Sequence, residues 1–296
     1  MQSSGATDAT APADERPVDT PKGRVFVRQI AGEDPALVLM HGFPYDHRIY
    51  DKLLPRLSPR RAVAFDFLGY GRSDRSDAAG FSPQEHGSQL TAVLDELGIT
   101  RAVLVGHDPS GPDAVFYAVA RPERVARLAL LNTVFGHQPS LRMPEMTRLF
   151  SEPDLASLAD DMMSDPNQRL WLLQRWGVQL ETDPGDPDGL GMRSILPQFF
   201  GDAGQPDALA AIRAWTAGWL DSLDKQDALI ASGALRRLQV PVSVIFGERD
   251  RNLSPSLAAE LSQLFTDASM HLVRDAAHYP QHEQPEVVAD LLKRSA

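Results

Sequence analysis

The sequence predicts an α/β fold: a mostly parallel β-sheet flanked by helices, with a helical insertion late in the chain. Three observations carry this. Short apolar runs alternate with amphipathic stretches from Arg24 to Thr133. The alternation stops between Gly136 and Arg237, where helical spacing and loops take over. It resumes at Val240 and runs to the last helix. Strands separated by helices pair in parallel, because each crossover needs a helix to return the chain to the same sheet end.

Each element has a local reason. Residues 1–23 are rich in Ser, Thr, Ala, Pro and Asp, and they read as a disordered tail. They lack the basic n-region and apolar h-region of a secretory signal. Strands are expected at Arg24 (RVFVRQ) and at Ala36 (ALVLMHG), the second bounded by Gly42 and Pro44. Ile49, Tyr50, Leu53, Leu54 and Leu57 then fall at helical spacing. A strand at Ala62 (AVAFDF) precedes a turn-rich segment, and Ser-Pro-Gln-Glu opens a helix from Ser82 that Gly98 closes.

The strand RAVLVGHD, from Arg101, runs through a Pro-Ser-Gly-Pro turn into a helix ending at Ala120. VARLALLNT, from Val125, is the next strand. Past the helical block come the strand VPVSVIFGERD, a helix from Ser254 to Phe265, the strand SMHLVRDA and a helix from Pro285 to Lys293. The expected division is a core of 24–135 and 238–296, with 136–237 as a helical cap. No repeat of 20–50 residues is visible.

Composition narrows the function. The 296 residues carry a net charge of −11 and no cysteine. Binding to DNA or an anionic membrane draws on clustered positive charge, so neither is expected as a partner. Disulfides, thiolate metal sites and a cysteine nucleophile are excluded. No apolar run reaches the eighteen residues of a membrane span. A cytoplasmic protein without a metal or cofactor is the expectation.

Chemistry concentrates in Val105-Gly106-His107-Asp108-Pro109-Ser110-Gly111. A strand ends, small residues flank one central residue, and a helix begins. Such a strained turn lifts one side chain above the sheet, and that residue is Asp108. Ser110 is the other nucleophilic group here, but Asp108 would then occupy a position that needs a small residue.

His41-Gly42-Phe43-Pro44, the segment Asp66-Phe67-Leu68-Gly69-Tyr70-Gly71-Arg72-Ser73-Asp74, the Gly-His-Asp turn and two C-terminal motifs together resemble the α/β-hydrolase fold. The resemblance is to its aspartate-nucleophile branch of epoxide hydrolases and haloalkane dehalogenases. It covers roughly Arg24 to Phe135 and Val240 to Ser295. It implies a nucleophile, acid and histidine in that chain order: Asp108, then Asp250 in Phe246-Gly247-Glu248-Arg249-Asp250, then His278 in Asp275-Ala276-Ala277-His278-Tyr279-Pro280. Asp250 is preferred to Glu248, and the alternative acid position after the strand ending near Asn132 carries an amide. His47, His86, His271 and His282 are expected to be surface or packed residues.

The resemblance implies an alkyl-enzyme ester on Asp108, cleaved by water that His278 activates with Asp250 behind it. The oxyanion hole would use the backbone N–H of Phe43 and of residue 109, but Pro109 has none. Ser110 or a donor from the cap would have to substitute, or ester hydrolysis would be slow. Leaving-group donors depart from the pattern as well. None of the five tyrosines falls in the cap, whereas all four tryptophans do. Trp171, Trp176, Trp215 and Trp219 therefore stand as indole donors, the last two expected on one helix face, with His107 and His137 as further substrate contacts. The expected partners are a small, largely apolar organic substrate and water. Epoxide hydrolysis ranks first and haloalkane or haloacid dehalogenation second. A lyase, cyclase or ligand-binding protein is the reading from another class.

Overall fold

A computed structural model describes residues 13–75, 80–180, 195–201 and 206–294, with the backbone alone for 176–180. Its centre is an eight-stranded sheet: β1 (Asp14–Thr20), β2 (Gly23–Ile30), β3 (Glu33–Met40), β4 (Arg60–Phe65), β5 (Ala102–His107), β6 (Val125–Leu131), β7 (Val242–Gly247) and β8 (Ala268–Val273). The order across the sheet is β1-β2-β4-β3-β5-β6-β7-β8. Two pairings, β1 with β2 and β2 with β4, are antiparallel; from β4 onward every pair is parallel. Parallel strands covered on both faces need continuous apolar runs, and β5 and β7 are buried at every residue.

The helices are α1 (Pro83–Glu96), α2 (Ser110–Ala120), α3 (Glu145–Ser151), α4 (Ala156–Ser164), α5 (Pro166–Leu180), α6 (Leu196–Phe200), α7 (Leu209–Ala217), α8 (Trp219–Ala231), α9 (Ala234–Arg237), α10 (Pro255–Ser262), α11 (Pro280–Glu283) and α12 (Pro285–Arg294). Ser82 and Glu85 cap α1 reciprocally, which the Ser-Pro-Gln-Glu segment predicts. Seven of the helices, α3 to α9, lie between β6 and β7. Among the described residues no strand falls there.

Three expectations need correction. The tail was expected to run to Gly23, yet Asp14–Thr20 pairs antiparallel with β2 from Asp14↔Gln29 to Thr20↔Gly23. Only Val18 of that strand is buried, so it is held through its backbone and leaves no apolar pattern to read. Residues 1–12 of the tail lie outside the described residues. The apolar spacing from Ile49 to Leu57 serves two short 3₁₀ turns, His47–Tyr50 and Leu54–Arg56, instead of one helix. Finally, Trp215 and Trp219 do not share a helix. Gly218 separates α7 from α8 between them, its N–H closing on the Trp215 carbonyl at 3.2 Å.

Candidate active site

β3, β5, β6, β7 and β8 all point their C-terminal ends at one region, the edge where open α/β sheets bind ligands. Asp108 follows β5 with φ of +54°, a left-handed backbone that a side-chain-bearing residue adopts only when its surroundings enforce it. They do. The Asp108 N–H donates to the Leu131 carbonyl at 3.2 Å, and its own carbonyl accepts from Gly111 N–H at 3.0 Å and Thr133 Oγ1 at 2.6 Å. A Cβ on Gly106 would stand 2.7 Å from the Ser110 carbonyl oxygen, and one on Gly42 the same distance from Asp108 Cβ. The turn tolerates only glycine at these two approaches.

Asp250 and His278 arrive from loops after β7 and β8. His278 Nδ1 lies 2.7 Å from Asp250 Oδ2, and its Nε2 faces Asp108 Oδ1 at 3.9 Å. Asp250 also accepts from the N–H groups of Asn252 at 2.8 Å and Leu253 at 3.0 Å, and from Asn132 Nδ2 at 2.7 Å. Burial works against its charge, but His278 and these donors hold the carboxyl below the usual carboxylate range. Burial also opposes the His278 imidazolium. Asp250 and Asp108 outweigh it and push the pKa up to about 10. Burial raises the Asp108 carboxyl above its ordinary value, with His278 and the Phe43 N–H pulling the other way.

The Phe43 N–H points at Asp108 Oδ2 from 3.4 Å. Pro109 is the N-cap of α2, one residue earlier than the first helical position that proline favours. Ser110 does not replace the missing donor. Its hydroxyl is buried in the turn, 2.8 Å from the Met40 carbonyl and 2.9 Å from that of His107. The same burial takes it away from any nucleophilic role.

Asp108 and His278 open into a cavity of about 260 Å³, walled by Phe43, Phe81 and Pro83 on the sheet side. Leu141, Trp215 and Leu223 close it from the helical block, and Val134 from the segment just after β6. Trp219 lines it too, its ring edge-on to Phe43 at 4.7 Å between centroids and its Nε1 buried without a hydrogen-bond partner.

The remaining sequence candidates do not meet there. Trp171 is 59% exposed on α5. Trp176 is on the same helix, and its side chain lies outside the described residues. His137 is half exposed and pairs with Asp227 at 2.6 Å, away from the cavity. His107 is fully buried behind the site, where it donates Nε2–H to the His278 carbonyl at 2.9 Å. Burial lowers its pKa to about 3, so it is a neutral prop for the His278 loop. His47 and His86 are packed, paired with Asp66 and Asp113. Two residues that sequence reasoning gave no role, Asn132 and Asp113, are part of the site or its wall.

Among the described residues, two groups of side chains have the composition of a cation site: Asp46, His47 and Asp66, and His137, Asp224 and Asp227. The first is consumed by internal hydrogen bonds, including His47 N–H to Asp66 at 2.6 Å and Gln198 Nε2 to Asp46 at 2.6 Å. The second is on the surface. Neither touches the cavity. No helix among the described residues is long and apolar enough to cross a membrane.

Residues 37–291 match the alpha/beta hydrolase family, and the chain belongs to it. It is 29% identical over 290 residues to haloalkane dehalogenase 2 of Mycobacterium tuberculosis, covering 94% of this chain and 93% of that protein. Bifunctional epoxide hydrolase 2 of Mus musculus is 23% identical over 292 residues, spanning 88% of this chain and 51% of the mouse protein. Among solved structures, Cfl2 from Burkholderia cenocepacia superposes with a TM-score of 0.78 at 23% identity, over 95% of this chain and 94% of that one.

Proposed function

We propose that this alpha/beta hydrolase uses Asp108 to displace a leaving group from a saturated carbon of a small, largely apolar substrate, and that the leaving group its cavity suits best is a halide. One observation carries the reading: Asp108 and His278 line one cavity with Asp250 buried behind the imidazole, which is 2.7 Å from the acid and 3.9 Å from the nucleophile. A carboxylate is ionised without help from a base, so it can attack carbon directly. The carbon–oxygen bond forms, the carbon–halogen bond breaks, and the halide departs with the electron pair.

Water then attacks the Asp108 ester carbonyl, with His278 Nε2 taking its proton and the Phe43 N–H meeting the developing oxyanion. Collapse releases the alcohol and restores the carboxylate. In the resting state His278 is held protonated by two carboxylates. Esterifying Asp108 removes one of those charges, so the imidazolium can give up its proton to solvent, the proton that leaves with the halide as net HX, and the neutral ring then acts as base in the second step. Residues 136–237 act in this reading as a cap that keeps bulk water from the ester.

The preference for a halide rests on which donors line the cavity. All five tyrosines, Tyr45, Tyr50, Tyr70, Tyr117 and Tyr279, are buried outside it. An opening epoxide needs a proton delivered to its oxygen, which an indole does not supply. A departing halide needs only N–H groups turned toward it, and Trp219 Nε1 is free to turn one. Epoxide opening is the second reading, favoured by the His41-Gly42-Phe43-Pro44 motif.

Turnover of 1-bromohexane in ¹⁸O-water tests the class. Label should enter the Asp108 side chain over repeated cycles, because each hydrolysis carries the ester oxygen away in the alcohol and replaces it with one from water. Turnover with an unlabelled Asp108 contradicts the covalent route. Diol formation from 1,2-epoxyhexane outpacing bromide release would favour the second reading.

A further inference from the structure

Asp113 is in the first turn of α2 and lines the same cavity as Asp108, yet nothing in the hydrolytic chemistry uses it. Its side chain is 6% exposed. Its hydrogen bond among the described residues is to His86, whose Nδ1 lies 2.6 Å from Oδ2. His86 comes from α1, stacked on Phe67 at 4.2 Å and edge-on to Trp215 at 4.8 Å between ring centroids. Its Nε2 is buried and partnerless, so the ring proton belongs on Nδ1, where the acceptor is. The carboxylate keeps its negative charge in that arrangement.

That charge is expensive where it stands. The cavity wall includes Phe81, Pro83, Pro112 and Trp215, and its other charged or titratable groups are Asp108, His278, Asp221 and Lys225. The N-terminal turn of α2 favours an anion, but Pro112 has no N–H to offer it. A tie between α1 and α2 could be made by an uncharged pair at less cost in desolvation. A buried carboxylate on a ligand cavity, with Oδ1 left over, matches a cationic donor on the ligand.

We propose that Asp113 determines specificity by accepting a hydrogen bond from a protonated amine on the substrate, so that the cavity takes aminoalkyl compounds and turns away carboxylates. Calling the ligand a substrate rests on the Asp108 reading; the binding preference does not.

The test is equilibrium binding by calorimetry with pentylammonium, 1-pentanol and pentanoate at pH 7. It is done in the Asp108→Asn chain, which removes the nucleophile's carboxylate and any ester chemistry, while Asp221 and Lys225 stay on the cavity wall in every variant compared. Pentylammonium should bind at least about tenfold more tightly than pentanoate, the worth of one charge-assisted hydrogen bond. Adding Asp113→Asn, which keeps an acceptor for His86, should erase that preference and leave 1-pentanol little changed. Equal or tighter binding of pentanoate overturns the proposal, as does a preference that survives Asp113→Asn. An alcohol that matches the ammonium, with both losing affinity in Asp113→Asn, also overturns the claim for an amine. If the double variant does not fold, the ammonium–carboxylate comparison in the single variant still decides. Absence of an ester on Asp108 would sink the hydrolytic reading without touching these affinities.

Discussion

Asn132 donates its side-chain N–H to Asp250 at 2.7 Å, on the same oxygen that faces His278. Its amide oxygen in turn accepts from the Gly247 N–H at 3.0 Å, so the group cannot rotate without losing both bonds. The amide thus anchors the carboxylate that we assign as the partner of the base. Asn132→Ala should leave Asp250 with three of its four donors and lower turnover by about ten- to hundredfold, the worth of one hydrogen bond to a charged group. Steady-state kinetics on a bromoalkane check this. Unchanged turnover would mean that the Asp250–His278 pair does not depend on Asn132.

The protonation of His278 has a stability consequence. Its folded pKa of about 10 stands above the ordinary value of 6.5. A raised folded pKa means that the protonated ring stabilises the fold fully below 6.5, with the contribution lost progressively as pH climbs to about 10. Thermal melts of the wild-type chain should therefore fall across that window more steeply than those of His278→Gln. Parallel curves would contradict the assignment of charge.

Two substitutions should separate the two chemical steps. Trp219→Phe keeps the ring against Phe43 and removes the indole N–H, so bromide release should slow while ester decay is unchanged. Pro109→Ala restores a backbone N–H beside Asp108, so decay should speed up by at most about 10²–10³, the value of one oxyanion donor, with formation little altered. Single-turnover kinetics resolve the phases. If Pro109→Ala leaves both unchanged, another donor already fills that place.

The sheet, its parallel core and the turn that lifts Asp108 were legible because buried strands and glycine turns leave continuous patterns, whereas Asp250 and His278 followed from the chain order that the family resemblance implies. What stayed hidden depends on partners far apart in sequence or on backbone alone. β1 pairs through its peptide groups and buries little more than Val18, so its polar composition reads as a tail. His137 looks like a donor until Asp227, ninety positions on, takes it. The break at Gly218 that divides Trp215 from Trp219 is one residue long, and helical spacing passes over it. Asn132 was visible as an amide in an acid's position. Its bond to Asp250 depends on how β6 and β7 pair, which local sequence does not encode.

Hydrolysis by this route requires that Asp108 become esterified. His278→Gln should block water activation while leaving Asp108 in place, so the first step proceeds and the second stops. Incubating that variant with 1-bromohexane and measuring the mass of the peptide that contains Asp108 reads the intermediate directly. One hexyl group should be added to that peptide, with one equivalent of bromide released per chain. An unmodified Asp108 peptide, from a variant whose wild-type parent turns the same substrate over, would contradict it.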